Sequence, residues 1–221
     1  GLSLPWESAL DTFGGLPNLL TLLAGRRGSG KSTIARNIAR HLAERGEPVA
    51  MVILEDTVKN HLKQLAGDAF NFNVFHEESV KRPLTETEEL KYRNALEEVQ
   101  KLPIHVIDNI RTVERICSHA SMMKSKHGIK SIIIDNYTQI QTSGNMRDLQ
   151  QRDEHVSSSL ADLATRLDIN VTVICHVTQS HESEGRRIDL RDVRGYGQVV
   201  DRARFVLALD QLSADKENEP R

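Results

Sequence analysis

The sequence predicts an α/β fold, a mostly parallel central sheet flanked by helices. Three observations point there. Short β-branched apolar runs alternate with longer amphipathic stretches along the chain. The runs are continuously apolar, as suits strands buried on both faces. A glycine-rich segment follows the first run and opens a helical stretch, a strand–turn–helix order typical of phosphate-binding α/β proteins.

The strand candidates are residues 19–24, 49–54, 104–107, 129–134, 171–175 and 205–209. Three apolar stripes at helical spacing lie between them. One is Ile34, Ala35, Ile38, Ala39 and Leu42; a second is Val113, Ile116, Cys117, Ala120 and Met123. The third is Val156, Leu160, Leu163, Ala164 and Leu167. Thr85 followed by Glu88 reads as a capping box for a helix running to Leu102. Gly1–Pro5 reads as a linker stub and residues 215–221 as a polar tail.

With 221 residues, 38% hydrophobic and 27% charged, the chain is long and apolar enough for one substantial core. No apolar run approaches the eighteen or so residues that span a bilayer, and no secretory leader is visible. Cys117 and Cys175 are far apart, without the spacing of a disulfide framework or a zinc site. A cytoplasmic protein with no membrane partner is expected. The net charge of -2 excludes a protein coated in cations, so nucleic acid would have to be held by a few local ones.

Gly25-Arg26-Arg27-Gly28-Ser29-Gly30-Lys31-Ser32 has the G-x4-G-K-S pattern of a P-loop and is followed by Thr33. Glycines let backbone N–H groups wrap phosphates, and the helix N-terminus adds favourable potential. Lys31 is expected to reach the β- and γ-phosphates of ATP or another NTP, and Ser32 to ligate Mg2+. Ser131-Ile132-Ile133-Ile134-Asp135 is an apolar strand ending in an acid, the usual source of the Mg2+-associated carboxylate. Because Asn136 follows, that strand offers no adjacent catalytic carboxylate. Glu55, after Val52-Ile53-Leu54, is the candidate base, with Asp56 as its competitor.

Glu55, Asp135, Val173-Ile174-Cys175-His176 and Asp192-Val193-Arg194-Gly195-Tyr196-Gly197 occur in that order. The succession resembles the RecA-like motor domain of hexameric replicative DNA helicases, the DnaB family, especially its phage primase-helicase branch. Leu4-Pro5-Trp6, Gly14-Gly15 and Leu23-Ala24-Gly25 are similar to the start of that domain. The resemblance implies a RecA-like P-loop NTPase core with Glu55 as catalytic base and His176 as γ-phosphate sensor; a satisfied core histidine is the other reading. It implies a bacterial or phage-infected cell, a homo-hexamer in the full-length protein, and a primase or helicase loader as further partners. Single-stranded DNA would be held by two channel loops, residues 141–154 with Arg147 and Arg152, and 178–191 with Arg186, Arg187 and Arg191. Solvated loop cations are the bland alternative for these arginines.

The chain departs from that pattern in places. Glu182 and Glu184 sit in the second loop, Asp201 falls where relatives place Gln, and Arg202 and Arg204 fall where acids are common. The family's arginine finger, in a Lys-x-Arg context beyond Gly197, has no counterpart. The expectation is therefore one RecA-like domain over residues 1–221, truncated at both ends. Two rival enzymes share the P-loop: a RecA/KaiC-type ATPase without helicase activity, and a small-molecule kinase in which Arg186 and Arg187 form a lid. A nucleotide-gated scaffold is the non-enzymatic rival.

Overall fold

The computed structural model describes residues 1–70, 85–144, 148–177, 188, 192–193 and 197–210. Its strands are β1 (Leu20–Gly25), β2 (Val49–Ile53), β3 (Ile104–Ile107), β4 (Ser131–Asp135), β5 (Asn170–His176) and β6 (Phe205–Leu209). They form one sheet in the order β3-β2-β4-β5-β1-β6, every neighbouring pair parallel. The described helices are α1 (Glu7–Phe13), α2 (Lys31–Glu44), α3 (Val58–Phe70), α4 (Glu86–Lys101), α5 (Val113–His127), α6 (Leu149–Leu167) and α7 (Gly197–Arg202).

Alternation within the apolar strands feeds two cores. Leu20, Leu22, Ala50, Val52, Ile132, Ile134, Val171 and Val173 pack on one face, against Ile116 and Ala120 of α5 and Val156, Leu160 and Leu163 of α6. Leu23, Met51, Ile133 and Ile174 point the other way, onto Ala35, Ile38, Ala39 and Leu42 of α2. Both faces are dry, which is why these strands read as unbroken apolar runs. Among the described residues, no helix is long and apolar enough to cross a membrane.

All six expected strands form, residues 104–107 and 205–209 with the expected bounds and the others with ends shifted by at most two residues. The capping box forms as well: the Glu88 N–H donates to Thr85 Oγ1 at 3.3 Å, and the Thr85 N–H donates to Glu88 Oε2 at 2.8 Å. Gly1–Pro5 is not a free stub. Leu2 pairs with Leu16 through two 2.7 Å backbone bonds, and Leu2 and Leu4 close the second core beneath α2. Nor is 141–154 wholly a loop, because α6 begins at Leu149, capped by Asp148. Helices α1, α3 and α7 were not expected. In α3 the buried side includes the polar His61 beside Leu65 and Ala66, which blurs the apolar stripe.

Candidate nucleotide site

The glycine-rich loop runs from the carboxyl end of β1, the strand beside edge strand β6, into α2, flanked by the ends of β5 and β6. Gly28 (φ +78°) and Gly30 (φ +85°) take left-handed conformations that side chains resist. Gly25 has no room for a side chain: a Cβ would lie 2.6 Å from Ser29 Oγ and 3.0 Å from the Leu209 carbonyl oxygen. The Lys31 ammonium donates to the Arg26 carbonyl at 2.5 Å and lies 3.5 Å from Ser29 Oγ. Burial holds Lys31 below its ordinary range, opposed by Asp135, Cys175 and Glu55. Arg26 approaches Asp210, beyond β6, at 3.8 Å.

Ser32, on the first turn of α2, donates its hydroxyl to Asp135 Oδ2 at 2.7 Å. Burial pushes the Asp135 carboxyl up; the Ser32 hydrogen bond opposes that shift. A hydroxyl and a carboxylate in contact are hard oxygen donors suited to Mg2+, which keeps several waters and takes phosphate oxygens. Among the described residues no cluster of three His, Cys, Asp or Glu side chains could hold a metal unaided. The Ser32–Asp135 pair therefore fits a Mg2+ ion that arrives with a nucleotide.

Glu55 and Asp56 follow β2, the strand beside β4, and have different surroundings. Asp56 accepts from the Thr57 N–H (2.7 Å), Asn60 Nδ2 (3.1 Å) and Gln64 Nε2 (3.3 Å), so it is committed to the opening of α3. Glu55 is half exposed and reaches toward β5, its Oε2 3.9 Å from His176 Nε2. That is too long for a hydrogen bond. Burial, with Lys31 adding to it, pushes the His176 pKa down against the pull of Glu55 and Asp135. A neutral imidazole beside Glu55 is a neighbour and not an ion pair. The nearer partner of His176 Nε2 is Asn136 Nδ2, at 2.9 Å.

The structure thus brings Gly25–Thr33, Glu55, Asp135 and His176 to the carboxyl ends of β1, β2, β4 and β5, where α/β ligand crevices form. Residues 8–220 match the DnaB-like helicase C terminal domain family.

The chain belongs to the DnaB-like helicase family.

Its fold agrees with solved members of the same architecture. A solved ATPase domain superposes with a TM-score of 0.82 at 23% identity, over 92% of this chain and 74% of that one. A DnaB-like replicative helicase, studied with its interactions with primase, gives 0.78 at 20% identity, over 90% of this chain and 53% of that one. No curated protein sequence matches the chain. The expected RecA-like core of a DnaB-family motor domain is therefore the fold observed.

Of the arginines expected on DNA, Arg147, Arg186, Arg187 and Arg191 lie outside the described residues, as do Glu182, Glu184 and residues 194–196. Arg152 of this DnaB-like domain is placed differently from a loop cation. It sits on α6, pairs with Asp153 at 2.6 Å, and donates to the carbonyls of Ile140 and Thr138. Its guanidinium lies 6.0 Å from the centre of the Tyr137 ring. It therefore ties α6 to the segment after β4.

Two features had little or no sequence signal. Arg36 is buried inside α2 and binds Asp68 (2.5 Å), Gln64 (2.6 Å) and Thr33 Oγ1 (3.1 Å), joining the phosphate loop's helix to α3. Arg36 lies off the apolar stripe of α2, so the helical pattern gives no sign that it is buried. Asn136 was noted merely as a non-acid, yet it touches the candidate sensor.

Proposed function

We propose that this domain is the motor of a replicative DNA helicase, coupling ATP hydrolysis between subunits to translocation on single-stranded DNA and to duplex unwinding. The observation that carries the reading is the convergence of the P-loop, the Ser32–Asp135 pair, Glu55 and His176 in a DnaB-family fold. Backbone N–H groups of Gly28–Thr33 and the Lys31 ammonium bind and orient the phosphates. Ser32 and Asp135 hold Mg2+, which supplies charge neutralisation on the phosphates when bound. Glu55, exposed and not tied to a helix cap, takes the proton of the attacking water. His176 ends β5, and residues 178–191 follow it closely in sequence, so it reports phosphate to the segment proposed to hold DNA.

Arg147, Arg186, Arg187 and Arg191 contact the DNA backbone, and a few cations suffice when six copies line one channel. The full-length protein is a homo-hexamer working in the cytoplasm with a primase or loader. The test is ATP hydrolysis with and without single-stranded DNA, followed by strand displacement. Stimulated hydrolysis and displacement are expected. Hydrolysis indifferent to DNA would indicate a regulatory ATPase, and phosphate transfer to a metabolite would indicate a kinase.

A further inference from the structure

Asn136 is fully buried immediately after Asp135, with its amide committed at both ends. Asn136 Oδ1 accepts from the Thr138 backbone N–H at 3.1 Å and from the Thr138 hydroxyl. A backbone N–H can only donate, so the oxygen must face Thr138. The Nδ2 amino group is then the atom 2.9 Å from His176 Nε2. An amino group can only donate as well, which makes His176 Nε2 an acceptor. The imidazole proton must sit on Nδ1, which is buried and has no hydrogen-bond partner among the described residues.

We propose that Asn136 is a positioning residue for His176, holding its imidazole as the neutral Nδ1–H tautomer with Nε2 occupied. This rests on the proposed role of His176 as phosphate sensor. A phosphate oxygen only accepts, so Nε2 cannot engage one while it carries a lone pair turned to Asn136. His176 must therefore release Asn136 and carry a proton on the nitrogen that meets the phosphate. The orphaned Nδ1–H favours such an exchange, because a buried unpaired donor is costly. Asn136 thereby sets the threshold at which His176 responds.

The experiment is nitrogen NMR of 15N-histidine-labelled protein, with His176 assigned by comparison with His176→Gln. In the wild type, His176 Nε2 should show the signature of an unprotonated ring nitrogen and Nδ1 that of a protonated one. In Asn136→Asp the carboxylate must accept where the amide donated, so the two signatures should exchange. A wild-type His176 protonated on Nε2 overturns the proposal even if the variant does not fold. An unchanged tautomer in a folded Asn136→Asp protein overturns it too. In steady-state kinetics, Asn136→Ala should change kcat for ATP by about five- to tenfold, the worth of one hydrogen bond. Its KM should stay within about twofold; a KM effect with unchanged kcat would count against the proposal. Wild-type hydrolysis that ignores DNA would sink the helicase reading and leave the tautomer result standing.

Discussion

Lys31 and Glu55 do separable jobs, and their surroundings say which measurement each should move. Lys31 is the buried cation inside the loop, 4% exposed, with its charge opposed by burial and supported by Asp135, Cys175 and Glu55. Lys31→Ala removes a charge-assisted bond to phosphate, and Mg-ATP binding should weaken by about ten- to a hundredfold or more. Unchanged affinity in a fluorescent-nucleotide titration would refute the loop assignment. Glu55 makes no cap and sits half exposed beside His176. Glu55→Gln should leave that affinity nearly intact and cut turnover by a factor on the order of 10²–10⁴. A fully active variant would move the role elsewhere. The P-loop, Asp135 and Glu55 were legible in the sequence because each obeys a local rule: a motif, or an acid at a strand end. Asn136 and Arg36 were not, because their partners lie 40 and 32 residues away, on elements whose packing no local pattern reveals.

At the scale of elements, the apolar strands read true while α3 did not, and His61 is the reason. It is 3% exposed, with Nε2 3.3 Å from Met51 Sδ on β2, so a titratable ring occupies a core position between helix and sheet. Burial, then the nearby Arg36 charge, pushes its pKa from 6.5 down to about 4, against the pull of Asp56. The folded state therefore binds this proton less readily than the unfolded chain. Between pH 6.5 and 4 the unfolded state holds more protons, so the stability present at neutral pH falls as pH is lowered. The full loss is about 3 kcal/mol at about 1.4 kcal/mol per pH unit, reached once pH passes below the folded-state value. Denaturant melts of wild type and His61→Leu between pH 7 and 4.5 check this. The variant should lose less stability over the range, and parallel curves would contradict it. A capped helix behaves more simply: Thr85→Ala removes the hydroxyl that accepts from the Glu88 N–H, leaves the Thr85 N–H bond to Glu88, and should cost about 1 kcal/mol at any of these pH values.

For the whole molecule, the site lies along one edge, at the carboxyl ends of β1, β2, β4 and β5, which is the geometry of a surface that a neighbour can complete. An arginine supplied in trans is worth on the order of 10³–10⁵ in rate in phosphoryl transfer. If subunits complete one another, hydrolysis per molecule should climb as protein concentration rises, in step with mass measured by light scattering. A specific activity flat across a hundredfold dilution, with a monomeric mass throughout, would place every catalytic group in a single chain.

The two thiols carry a practical consequence. Cys175 lies wholly inside β5 and Cys117 is largely covered on α5; burial pushes the first far up and the second to about 11. At pH 8 roughly one Cys117 in a thousand is the reactive thiolate, and fewer of Cys175. Maleimide dyes should pass both by. The natural sequence is thus a ready background for fluorescence: a cysteine placed at exposed Ser143, on the stem leading to Arg147, would take a single label. Its emission would follow that stem through the nucleotide cycle without first removing either native thiol.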